Sequence, residues 1–215
     1  MIHQPITLFS ANLIDASAQT STSSNTFTIT FTEAKQIDAF LLRNTAITSI
    51  QVDYKASSSD ASWTEGETLT QSQKKDKIFI LSAQITAQVI RLTFNIEADF
   101  ENISFVKKLL TLTNILSSHN IDNNFKGKTY YLADGTLVAW QEYLKKKINL
   151  KLSNIPQNLI EQIKSVLEAN NFLTYALFAD FDGYFTGEFA LKEPPVYYLN
   201  RQNALYSLNL TLLER

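Results

Sequence analysis

The sequence contains no cysteine, which excludes disulfide bonds, thiolate metal sites and cysteine nucleophiles. Its 215 residues include 5 glycines and 4 prolines. Neither a GxGxxG nor a GxxxxGKS/T pattern occurs, so these nucleotide-binding loops are not expected. No apolar run approaches the ~20 residues that span a membrane, and a net charge of -2 creates no general attraction for phosphate polymers. We therefore expect neither a membrane nor a nucleic acid as a partner.

The sequence has only two histidines, His3 and His119. No neighbouring motif gives either one a partner, so a histidine-based catalytic unit or a multi-histidine metal site is not expected. Both are predicted to be solvated loop residues. Residues 1–5 have neither a basic patch nor a long apolar core, so a signal peptide is not expected.

The first half of the chain alternates between apolar and polar residues. Phe27, Ile29 and Phe31 share one face of a predicted strand at residues 26–32, and threonines occupy the other face. Residues 16–25 are almost all small and polar, which predicts a loop. Further strands are predicted at 49–54 and 90–97 by alternation, and at 37–43 and 77–81 as short apolar runs covered on both faces. Five or more strands without a helix favour a β-sandwich.

Several sequence segments in this half resemble the discoidin-like, galactose-binding-like family of β-sandwiches, also called coagulation factor 5/8 type C. The segments that resemble it are 12–15, 27–31, 35–40, 52–57, 59–63 and 89–94. The resemblance implies a jelly-roll sandwich whose loops, in many members, bind a sugar or another surface ligand. Such a fold does not by itself confer that function.

Asp60 and Trp63 are the candidate ligand-binding residues of this half, because they lie in the loop that resembles the family. The alternative is structural: Trp63 packs over the end of the sandwich, and Asp60 closes an Asx-type turn. Asn12 and Asp15 offer oxygen ligands for calcium, but two side chains fall short of the ~6–8 oxygens that the ion requires. Formation of a turn or a cap is the expected role of both.

The pattern changes after residues 98–102, so we predict domains at 1–98 and 99–215. Residues 103–116 fit a helix or a strand, and a strand is favoured. A helix is predicted from Pro156 to the Asn170–Asn171 pair, with an apolar stripe that includes Ile160 and Ile163. Strands are predicted at 129–132, 136–140, 143–152, 173–181, 184–190 and 204–213, with a hairpin turn at Asp134–Gly135. The predicted fold class is mainly β: an N-terminal jelly-roll-like antiparallel sandwich, followed by an α+β domain with antiparallel strands around one main helix.

The second half resembles minor tail or baseplate proteins of tailed bacteriophages and of phage-derived particles. The segments that resemble them are 150–155, 178–181, 187–189 and 206–214. The resemblance implies a structural protein of a tail tip or baseplate that self-associates in a ring and contacts other tail proteins. It implies localisation in the virion or particle, after assembly in the host cytoplasm. The 9 tyrosines and 14 phenylalanines suit such interfaces.

Two other functions stay open at this point. One is a carbohydrate-binding module with an accessory domain, for which a surface glycan would be the partner. The other is a hydrolase with paired carboxylates, for which Glu161, Glu168, Asp180 and Asp182 are the candidates. Solvated acids are the more ordinary interpretation, and no catalytic residue, cofactor or metal is expected.

Two short motifs in the second half have ordinary interpretations. Asp180–Gly183 begins like a calcium loop, but Phe185 and Leu191 occupy the positions that require Gly and Glu, so a hairpin turn is expected. The lysine runs 107–108 and 145–147 mark an exposed strand face, with pairing to an acidic neighbouring subunit as the alternative.

Overall fold

The computed structural model describes residues 6–10, 12–72, 75–112, 116–169, 173–180, 183–191, 194–200 and 203–214. Only the backbone is described for 6, 75–76, 116–130, 137–144, 146, 173–180, 183–189, 191 and 214. Within these ranges the chain is mainly β, with antiparallel sheets and one helix, in agreement with a β-sandwich and a smaller α+β part. This confirms the predicted fold class. None of the described helical segments is long and apolar enough to cross a membrane.

Contacts divide the chain into two compact units. The first unit comprises Thr7–Leu109 and Leu177–Thr186, and the second comprises Met1–Ile6, Leu110–Ala176 and Gly187–Arg215. The predicted division into domains at residue 98 stays a prediction.

Six strands of the first unit form a sheet in the order β2-β3-β6-β4-β5, with β7 paired to β3. The strands are β2 (Gln19–Ser23), β3 (Thr26–Thr45), β4 (Ser49–Lys55), β5 (Thr64–Thr70), β6 (Lys75–Phe94) and β7 (Asn102–Val106). All of the pairings are antiparallel. β3 and β6 have 20 residues each, and their pairing shifts register at three places, so each predicted pair of strands is one long, irregular strand.

The core of this sheet is built around phenylalanine. Phe105 of β7 is fully buried, and its ring centre lies 5.2 Å from that of Phe40, 5.7 Å from that of Phe31 and 6.3 Å from that of Phe27. Phe27 and Phe31 come from the first part of β3, and Phe40 comes from the second. Both parts of this strand therefore contribute to the same core, as the alternation at 26–32 predicts.

Three sequence predictions for this unit are wrong in detail. Residues 19–23 are not a loop but the edge strand β2, which is exposed on both faces and so shows no apolar alternation. Ile80 is 45% exposed, so one face of β6 is uncovered there. β6 ends at Phe94 because Asn95 forms a turn: its side-chain oxygen accepts hydrogen bonds from the backbone N–H groups of Thr48 and Ser49.

Eight strands form a second sheet in the order β8-β1-β11-β12-β14-β10-β9, with β13 paired to β14. They are β1 (Ile6–Phe9), β8 (Lys108–Leu112), β9 (Leu116–Tyr131), β10 (Leu137–Ile155), β11 (Leu173–Asp180), β12 (Gly183–Leu191), β13 (Val196–Asn200) and β14 (Leu205–Glu214). The predicted hairpin is confirmed, since β9 and β10 pair on either side of Asp134–Gly135. Residues 181 and 182, where the second hairpin turn is predicted, lie outside the described residues.

The predicted helix is confirmed as α1 (Gln157–Ala169), which follows Pro156 directly. Its buried residues Ile160, Ile163 and Leu167 belong to the predicted apolar stripe. The β9–β10 hairpin is much longer than predicted because residues 117–128 alternate poorly yet pair with β10 throughout. The prediction that His119 is a loop residue is therefore wrong: its backbone belongs to β9, directly opposite Leu150. His3 lies outside the described residues.

Candidate functional site

Trp63 lies in the loop between β4 and β5, and its side chain is half-buried. Two cations lie against its ring. The guanidinium carbon of Arg91 in β6 is 4.4 Å from the ring centre, and the Lys55 ammonium at the end of β4 is 5.0 Å from it. Both distances are within the range of cation–π attraction. The ring therefore packs against charged side chains from two strands: β4, which precedes the loop, and β6, which pairs with β4.

Arg91 is held on its other side by Asp53. These two residues stand directly opposite each other in the β4–β6 register. The Nε and Nη2 atoms of Arg91 donate to the same carboxylate oxygen of Asp53, at 3.1 and 2.7 Å. Asp53 is buried, so its charge is shielded from water and depends on this pair.

Asp60 closes the loop that leads to Trp63. Its carboxylate accepts a hydrogen bond from the backbone N–H of Ser57 at 2.9 Å, and its own N–H donates to the Ser57 carbonyl at 3.1 Å. The Lys55 ammonium donates to the Asp60 carbonyl at 2.6 Å. Asp60 thus has the turn-forming role, and Lys55 links it to Trp63. Ligand binding by this pair stays a prediction.

Asn12 and Asp15 are engaged in local hydrogen bonds. The Asn12 side-chain oxygen accepts from the N–H groups of Ile14 and Phe105. One Asp15 oxygen accepts from the N–H and hydroxyl of Ser17, and the other accepts from the Thr32 hydroxyl. The hydroxyl of Ser17 is the main cause that lowers the pKa of Asp15. Both residues therefore form the turns that the sequence predicts.

The carboxylates proposed for hydrolysis are only partly described. Glu161 and Glu168 are exposed on α1, and Glu161 accepts a hydrogen bond from Gln157. The side chain of Asp180 and the whole of Asp182 lie outside the described residues, so their pairing stays a prediction. Among the side chains that the structure does describe, no group of three His, Cys, Asp or Glu residues could hold a metal ion.

A second candidate surface lies on β13, which the sequence analysis did not predict. Val196, Tyr198 and Leu199 are 49%, 55% and 51% exposed. Within the described ranges, β13 pairs with β14 and with no other strand. The run VYYLN after two prolines is the sequence signal that could have identified this strand, since tyrosine and valine favour strands.

Tyr197, which alternates with Val196 and Tyr198 along β13, lies against α1. The Lys164 ammonium lies 4.7 Å from the centre of the Tyr197 ring. Burial raises the pKa of Tyr197, and the negative charge of Glu168 adds to the effect. β13 therefore has one side chain held by the helix and a face exposed to solvent.

The end of β9 and the hairpin loop after it also expose large apolar side chains. Tyr131 is 76% exposed, and Leu132 beside it is also exposed. The loop itself is ordered by hydrogen bonds: the Asp134 carboxylate accepts from the N–H of Thr136, and this contact lowers the pKa of Asp134. An aromatic side chain on an ordered, exposed turn is suited to contact with another protein.

No protein-family model, curated protein or solved structure matches this chain.

Proposed function

We propose that this protein is a structural component of a phage tail tip or baseplate, or of a phage-derived particle, and that it acts by subunit association without catalytic turnover. The observation on which this depends is the exposed edge strand β13. Its partners would be further copies of the chain in a ring and neighbouring tail or baseplate proteins. Its location would be the tail, assembled in the host cytoplasm.

An exposed strand edge is a template for pairing with another chain. Proteins that stay monomeric usually protect such edges with lysines, prolines or bulges. β13 has no charged residue, and three of its five side chains are large, apolar and about half exposed. This composition favours association over solubility as a monomer.

The phage part of the proposal is supported by the sequence segments that resemble tail proteins. Residues 150–155 form the end of β10 and lead into α1, and residues 206–214 lie in β14. These two segments are neighbours in the sheet, where Leu150 stands opposite Leu210 and Leu152 opposite Leu208. The resemblance therefore involves residues of two paired strands.

Three measurements test the proposed function. Mass spectrometry of purified particles from cells that encode this sequence should detect the chain, and light scattering should give the full chain an oligomeric mass. Electron microscopy should place its density at one end of a tail. A chain that is strictly monomeric at its highest soluble concentration and absent from purified particles would contradict the proposal.

Carbohydrate binding is the second candidate, and the half-exposed ring of Trp63 favours it. Tryptophan rings stack on sugars, and the nearby side chains of Asp53, Arg91 and Lys55 supply charged groups of both signs. A glycan array should then show hits that Trp63→Ala removes and that Tyr198→Ala, a matched exposed aromatic in the other unit, retains. An array without hits would eliminate this candidate.

A further inference from the structure

Strand β13 (Val196–Asn200) has one paired edge and one open edge. It pairs with β14 along the first, and the second pairs with none of the described strands. The backbone N–H and C=O groups of a strand point alternately to its two edges. The open edge along residues 196–199 therefore offers hydrogen-bond donors and acceptors to a further strand.

The composition of β13 suits pairing with its own copy. The strand has no charged residue, so two copies that run antiparallel place no like charges opposite each other. Val196, Tyr198 and Leu199 are each about half exposed, and pairs of aromatic and apolar side chains across two strands stabilise a sheet. Proline, which protects an edge strand from such pairing, stands before the strand, at Pro194 and Pro195, and not within it.

The length of the strand indicates the register. A two-fold axis at Tyr198 pairs all five residues of β13 with those of the second copy. A shift of the axis towards the N-terminus would bring Pro195 into the ladder, and proline has no N–H to donate. Residues opposite each other lie on the same face of a sheet. In this register Tyr198 stands opposite Tyr198 of the second copy, and Tyr197 stands opposite its Leu199.

The charges on the neighbouring helix agree with this arrangement. The Lys164 ammonium lies 4.7 Å from the centre of the Tyr197 ring. Glu168, four residues later and on the same side of α1, is exposed and forms no ion pair with another described residue. A two-fold axis normal to the sheet places both helices on one face of the joined sheet, running in opposite directions. Lys164 of each copy is then directed towards Glu168 of the other, so charges of opposite sign meet beside the axis.

We propose that β13 pairs antiparallel with β13 of a second copy of this chain, about a two-fold axis at Tyr198, so that the sheet continues from one copy into the next. This inference rests on the proposed function, since it names the strand and the register through which copies associate. A two-fold contact closes after two copies. Rings joined through β13 therefore come in pairs, and the contact within each ring uses another surface.

The absence of cysteine allows the register to be tested by cross-linking of the full chain. Tyr198→Cys introduces a single thiol, and the axis brings its Cα to within about 4.5–5.5 Å of the same atom in the second copy, which permits a disulfide. Leu199→Cys is the control: Leu199 is similarly exposed, but its two Cα atoms would lie about 8 Å apart, too far for a disulfide. Under a mild oxidant, Tyr198→Cys should form covalent dimers at least about tenfold faster than the control. Equal rates would overturn the inference.

A lysine on the edge tests the contact itself. Tyr198→Lys places two ammonium groups opposite each other at the axis, which opposes pairing. Tyr131→Lys, at the exposed tyrosine beside the hairpin loop, is the control with the same change of residue and charge. Sedimentation velocity should show that Tyr198→Lys lowers the mass of the assembly by about half, whereas Tyr131→Lys leaves it unchanged. Circular dichroism should show that both variants are folded.

These measurements distinguish failure of the inference from failure of the proposed function. If Tyr198→Lys leaves the mass of the assembly unchanged, the inference is overturned while association stands. If the cross-link forms at Tyr198 but purified particles lack the chain, the inference stands and the proposed function fails. An unchanged chain that is monomeric at its highest soluble concentration would overturn the inference directly.

Discussion

The guanidinium of Arg91 lies 4.4 Å from the centre of the Trp63 ring while it donates two hydrogen bonds to Asp53. Arg91 is thus fixed from two sides, by a buried carboxylate and by an aromatic ring. Because the pair with Asp53 joins adjacent strands and the ring belongs to the following loop, one side chain orders both the sheet and the loop.

The coupling between Arg91 and Asp53 can be measured with a double-mutant cycle. Arg91→Met should lower the free energy of unfolding by about 1–3 kcal/mol, because it leaves the buried Asp53 carboxylate without its donors. Asp53→Asn in the same chain should recover part of this loss, as the neutral amide needs no counter-ion. Urea unfolding of the four proteins gives the coupling, and strictly additive effects would show that the pair contributes nothing.

Gly66 is predicted to be intolerant of any side chain. A Cβ atom added there would lie 2.6 Å from the backbone oxygen of Val52, at the point where the β4–β5 register shifts. Since a backbone oxygen cannot move aside cheaply, Gly66→Ala should cost about 1–3 kcal/mol in unfolding free energy. Thr70→Ala, an exposed change in the same strand, should cost much less, and equal losses would contradict the explanation by close approach.

The pKa of Asp15 should depend on Ser17. Nuclear magnetic resonance titration should show that Ser17→Ala raises the pKa of Asp15 towards its ordinary value of 3.8. Because the folded pKa is the lower one, the stabilisation by Asp15 is complete above the unfolded value and is lost as the pH falls through the folded value. Asp134, whose pKa is lowered by Thr136, is the internal reference and should not change.

Lys77 should resist acylation in the folded protein. It is 2% exposed, and its ammonium donates to the carbonyls of Thr45 and Ile47 at 3.2 and 2.5 Å. Burial lowers its pKa, and a lower pKa alone would favour acylation because the neutral amine is the reactive form. Slow acylation of Lys77 would therefore show that burial keeps the reagent away from its amine. Mass spectrometry after brief treatment with an amine-reactive ester should find exposed Lys108 modified first. Equal rates for the two lysines would contradict this burial.

Phe105 should be the most sensitive position of the phenylalanine cluster. It contacts Phe27, Phe31 and Phe40 and has no exposed surface, so Phe105→Ala should lower the free energy of unfolding by about 3–5 kcal/mol. Ile80→Ala, at an exposed position of β6, is the control and should have a small effect. Should both variants unfold alike in urea, the cluster would not be the centre of this core.

The fold was predictable where one face of a strand is buried and the other is exposed to solvent. Phe27, Ile29 and Phe31 alternate with threonines because only the apolar set reaches the core. β2 and most of β9 escaped prediction for the opposite reason: their residues are polar on both faces, and their structure depends on pairing with the long strands that follow them. Hydrogen bonding of the backbone leaves no mark on such sequences.

The candidate site was predictable only in its local part. Asp60 and Trp63 lie in one loop, and the short sequence segment that forms this loop identified both residues. Arg91 could not be placed against Trp63 because its position depends on the register between β4 and β6, which joins residues 38 apart. The same limit applies to the sheet around β14, where Val196 and Lys151 share a row through Asn209.

Strand β14 has β10 along one edge and β12 and β13 in succession along the other. All three neighbours are synthesised before it, so none of them can complete its hydrogen bonds until β14 has left the ribosome. A ribosome that stalls just after β13 would therefore release a chain with several open edges, which is a target for proteases and a hazard for aggregation. Folding of this sheet therefore depends on complete translation of β14.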